Sequence, residues 1–70
     1  MSVSKRYLKE ILNYPGLIQT VDQEVHIYED FFEAMVGRIA TTIGALPTPD
    51  HGGDPVHVAK VVVRFWRIYI

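Results

Sequence analysis

The sequence predicts a mainly α domain of three helices that associates with copies of itself. Three observations point there. Large apolar residues recur at helical spacing from Val21 to Leu46, the cations of the C-terminal segment stand three or four apart, and the chain has 70 residues with no cysteine. The first two describe helices that pack on helices. The third limits what one copy can cover, since a chain this short buries only about 60% of the surface its unfolded form exposes.

The first helix is expected from Ser4 to Asn13. Tyr7, Leu8, Ile11 and Leu12 share one side, Lys5, Arg6, Lys9 and Glu10 take the other, and the Ser4 hydroxyl stands where it can accept from the first free amides. Asn13-Tyr14-Pro15-Gly16 ends it, because proline disfavours helical geometry in the residue before it.

The second helix is expected to start at Pro15 or Thr20 and to reach Ala45. Val21, Val25, Tyr28, Phe32, Met35, Ile39, Ile43 and Leu46 follow at steps of three or four, a mean of about 3.57 that lies between a coiled-coil seam and a straight helix. Of the large apolar residues in this span, Ile27 and Phe31 fall off that face. Thr20 with Gln23 and Asp30 with Glu33 are two candidate capping boxes. The second would start a helix at Asp30 and leave Leu17 to Tyr28 for a β-hairpin, but those arms do not alternate cleanly, so one long helix is the preferred reading. Ala34, Gly37, Ala40, Thr41 and Gly44 cluster behind the stripe, where small residues admit a second backbone at Gly37 or end the helix at Gly44.

Ala45 to Pro55 reads as a loop from its prolines and its Gly52-Gly53 pair. Asp54-Pro55 then suits a cap and first turn, opening a third helix from Pro55 to Ile68. Val61 to Val63 and Phe65 to Ile70 favour strand by composition, but His57, Lys60, Arg64 and Arg67 make one narrow basic stripe only on a helix. The alternative is an α+β fold in which residues 57–69 form a β-strand paired across a dimer.

Residues 1–70 are expected to form a single domain. The net charge of -1 hides a dipole: up to Pro55 four basic residues face all eight acids, which gives -4, and Lys60, Arg64 and Arg67 then add +3. Asp22, Glu24, Glu29, Asp30 and Glu33 form an acidic centre with no lysine or arginine among them. No apolar run approaches the ~20 residues of a membrane span, and the first residues lack the apolar core of a signal peptide, so a cytoplasmic protein is expected.

The residues point away from an enzyme and imply no cofactor. The serines, Ser2 and Ser4, sit at the N-terminus, and the absence of cysteine removes thiol nucleophiles and thiolate metal sites together. His26 lies about one turn from Asp22 and Asp30 and two from Glu33, but a solvated acidic face explains that spacing as well as acid-base chemistry does. Asp50, His51, Asp54 and His57 match no established metal-site spacing. The features fit a small protein-binding accessory or regulatory module that docks on another protein and on its own copies. Phe65, Trp66 and Tyr69 are the expected anchors, and Lys60, Arg64 and Arg67 with Asp22, Glu29 and Glu33 set orientation. A nucleic-acid binder using the basic C-terminal segment is the rival reading.

Overall fold

In the computed structural model, which describes residues 3–46 and 53–69, the chain forms four helices: α1 Lys5–Leu12, α2 Leu17–Ile27, α3 Phe32–Gly44 and α4 Pro55–Tyr69. No strand occurs among the described residues, and the segment whose composition favoured β structure is α4.

The local rules hold at both ends. The Ser4 hydroxyl accepts the Tyr7 amide at 3.1 Å and opens α1. The Asp54 carboxylate accepts the Val56 amide at 3.1 Å and its carbonyl accepts the Val58 amide at 3.0 Å, which opens α4. Between α1 and α2 the chain turns through Asn13 to Gly16, where Gly16 takes φ 84°, a left-handed conformation that costs glycine little.

The predicted long helix is two helices, so the domain has four rather than three. The break falls at Tyr28 to Phe31: the Phe31 amide donates to the Tyr28 carbonyl at 2.9 Å and closes a turn, and α3 starts with neither predicted capping box formed. The reason is coverage. A straight helix from Thr20 to Ala45 would run roughly 39 Å, whereas the 15 residues of α4 reach roughly 22 Å. Turning back lets α2 and α3 pack on each other and on α4 with the stripe inside. The turn spans four residues, about one helical turn, so the apolar spacing passes through it in phase.

The helices α3 and α4 are antiparallel, since Arg67 near the end of α4 lies over Phe32 at the start of α3, and Pro55 at the start of α4 adjoins Gly44 at the end of α3. Between and beneath them sits the core: Tyr7 and Ile11 from α1, Leu17, Val21 and Val25 from α2, Met35, Val36, Ile39, Ala40 and Ile43 from α3, and Val58, Ala59, Val62 and Val63 from α4. One copy therefore encloses most of the Val21-to-Leu46 stripe. The premise that this seam needs a second subunit is corrected: the fold-back and α4 supply the cover.

Candidate docking surface

What a single copy leaves uncovered is concentrated. Among the described residues the exposed large apolar side chains are Ile27 (59%), Phe31 (67%), Phe32 (40%), Val56 and Ile68 (73%). Ile27 ends α2, Phe31 and Phe32 open α3, and Ile68 follows Arg67, whose guanidinium lies 5.9 Å from the Phe32 ring centre. Four of the five thus lie towards one end of the bundle. Val56 lies at the opposite end of α4.

The basic stripe converges on the same end. Lys60, Val63, Arg64 and Arg67 of α4 and Phe32 of α3 line a cavity of about 210 Å³. The three-and-four spacing places the cations on one exposed face, and the antiparallel start of α3 brings Phe32 against it. Arg67 over Phe32 is a cation–π contact near the outer limit of such geometry, worth about 0.5–1 kcal/mol when exposed. None of Lys60, Arg64 and Arg67 pairs with a carboxylate among the described residues; the ion pairs there are Arg6–Glu10 and Arg38–Glu24, and the His26 imidazole adjoins Asp22. Glu29, Asp30 and Glu33, also exposed and unpaired, sit in or beside the turn that carries Phe31 and Phe32.

The other expected site residues are placed differently. Trp66 is half-buried against the core, with its indole Nε1 buried and lacking an acceptor, so it serves packing before contact. Phe65 is half-buried, and the side chain of Tyr69 lies outside the described residues. Asp22 pairs with His26 at 3.4 Å on α2, on the helix that precedes the turn carrying Glu29. Asp50 and His51 lie outside the described residues, and Asp54 is occupied as the α4 cap. Among the described residues no three His, Cys, Asp or Glu gather as metal ligands.

Ile27 and Phe31 were missed as site residues, although the signal was present: they are the large apolar residues that fall off the stripe. Phe32 was hidden by belonging to it.

A second polar cavity, of about 180 Å³, is lined by Glu24, Arg38, Thr41 and Thr42. Glu24 is 8% exposed; its Oε1 lies 3.7 Å from the Arg38 Nε, and its Oε2 is buried without a hydrogen-bond partner. The threonine hydroxyls are engaged, Thr41 donating to the Gly37 carbonyl at 3.0 Å and Thr42 to that of Arg38 at 3.4 Å.

No helix among the described residues is long and apolar enough to cross a membrane. No protein-family model, curated protein or solved structure matches this chain, so its role is to be read from the geometry of this end.

Proposed function

We propose that the chain is a small non-enzymatic accessory or regulatory protein that acts by docking on another protein through the end formed by Ile27, Phe31, Phe32, Ile68 and the cations of α4. One observation carries the reading: four of the five exposed large apolar side chains among the described residues lie towards one end of a molecule whose core is otherwise closed, and a groove lined by three α4 cations opens beside Phe32 there. Apolar surface that is clustered and rimmed by charge is what protein-binding sites present. Among the described residues the serine and threonine hydroxyls do not favour nucleophilic chemistry, since Ser4, Thr20, Thr41 and Thr42 are each engaged with the backbone.

A photo-reactive phenylalanine at position 31, expressed in the native host, should capture a protein other than this chain, and the same group at Gln19, exposed at the far end of α2, should not. Labelling confined to Gln19, or no foreign protein at Phe31, would contradict the proposal. A second reading, nucleic-acid binding, draws on the convergence of Lys60, Arg64 and Arg67 beside the Phe32 ring. Glu29, Asp30 and Glu33 at the same end and the net charge of -1 weigh against it. That reading predicts an affinity for RNA or DNA that falls steeply with salt and disappears in Arg64→Glu.

A further inference from the structure

The end that docks also carries its own counterpart. Its groove presents three exposed cations around Phe32 and Val63, and its turn presents Glu29-Asp30-Phe31, two exposed acids beside the most exposed phenylalanine. Within one copy the two do not meet, since no described residue forms an ion pair with any of these five charges. Yet they are neighbours: Phe32, a wall of the groove, directly follows Phe31 in the chain.

We propose that the groove of Lys60, Arg64 and Arg67 takes the Glu29-Asp30-Phe31 turn of a second copy, and that the exchange is reciprocal about a two-fold axis. Charge complementarity selects this occupant: the groove needs an acidic segment with an apolar side chain, and the chain displays one at the same end. Because groove and turn lie side by side, one two-fold rotation satisfies both contacts, and the pair closes as a dimer instead of growing into a filament. Exposed ion pairs contribute orientation more than affinity, so the dimer depends on burying Phe31 with Ile27 and Ile68 and is a weak one. The inference rests on reading this end as a protein-docking surface.

Sedimentation equilibrium across dilution tests it. The protein should pass from 8.0 kDa to twice that mass as concentration rises. Lys60→Glu with Arg64→Glu on one chain should weaken association at least tenfold, as should Glu29→Lys with Asp30→Lys on another. All four positions are exposed, and an unchanged helical circular dichroism spectrum checks the fold of each. Mixed in equal amounts, the two defective proteins should associate again within about threefold of the unaltered chain, because each then offers the charge that the other lacks. Gln19→Glu, exposed at the start of α2 and away from the groove, should leave the dilution curve unmoved. A monomer at every concentration overturns the proposal. So does a dimer indifferent to Lys60→Glu with Arg64→Glu, or a failure of the mixture to recover. A monomer would leave docking on a different protein standing, and the cross-link at position 31 reads that separately.

Discussion

Tyr7 links burial to a pH dependence. Its phenol is held above the ordinary value of 10.0 because the buried site disfavours the phenolate. The folded pKa thus exceeds the unfolded one, so the stability tied to the neutral phenol is fully present below the unfolded value and is lost as pH climbs through the raised one. Urea unfolding in alkaline buffers should show stability declining above about pH 10, and Tyr7→Phe should flatten that decline. Gly37 carries a prediction of opposite sign. The sequence left it open as a packing position, but it is exposed on α3 and an added Cβ would meet nothing within 4 Å. Gly37→Ala should therefore stabilise the fold by about 0.5–1 kcal/mol, readable as a raised Tm. Among single residues, the Lys60, Arg64 and Arg67 face was legible because helical spacing alone aligns them. The place of Phe32 beside them was not, because it depends on which end of another helix arrives there.

Between elements, the tie from α2 to α3 has an unusual member in Glu24, a buried carboxylate with one oxygen near Arg38 and the other unpartnered. An acceptor buried without a donor costs about 1–3 kcal/mol, and Arg38, 67% exposed in its side chain, stays solvated without it. Glu24→Leu should therefore leave stability unchanged or raise it by up to about 1 kcal/mol in denaturant titration. A large loss would show that the carboxylate has a partner that offsets its burial. Much of the element layout was readable from short-range chemistry. Ser4, the Asn13-to-Gly16 turn and the Asp54-Pro55 start each act within a few residues, and each stands where the sequence put it. The turn at Tyr28 to Phe31 was marked in the sequence only by the Asp30–Glu33 pair, a helix start set aside in favour of one long helix, and that pair forms no cap. The turn contains neither glycine nor proline, and its length keeps the apolar stripe in phase. What breaks the helix there is the tertiary gain of folding α2 and α3 together, which no local rule contains.

For the molecule as a whole, that turn decides both stability and role. By folding the stripe back on itself it lets the chain close a core without a neighbour, and the same turn leaves Ile27, Phe31 and Phe32 outside, with Glu29 and Asp30 exposed in the turn that leads to Phe32. The sequence's expectation of surplus apolar surface thus survives in reduced form, as one end of the bundle instead of a whole helix face. The chain has no native cysteine, so Gln19→Cys and Ala45→Cys, both at exposed positions, provide a unique pair of spin-label sites. With the labelled protein diluted into an excess of unlabelled chain, pulsed dipolar spectroscopy reads their separation within one copy. Packed helices whose axes lie 8–10 Å apart predict a distance below about 25 Å. A distance near 39 Å, the rise of about 26 residues of unbroken helix, would contradict the turn and remove the docking end with it.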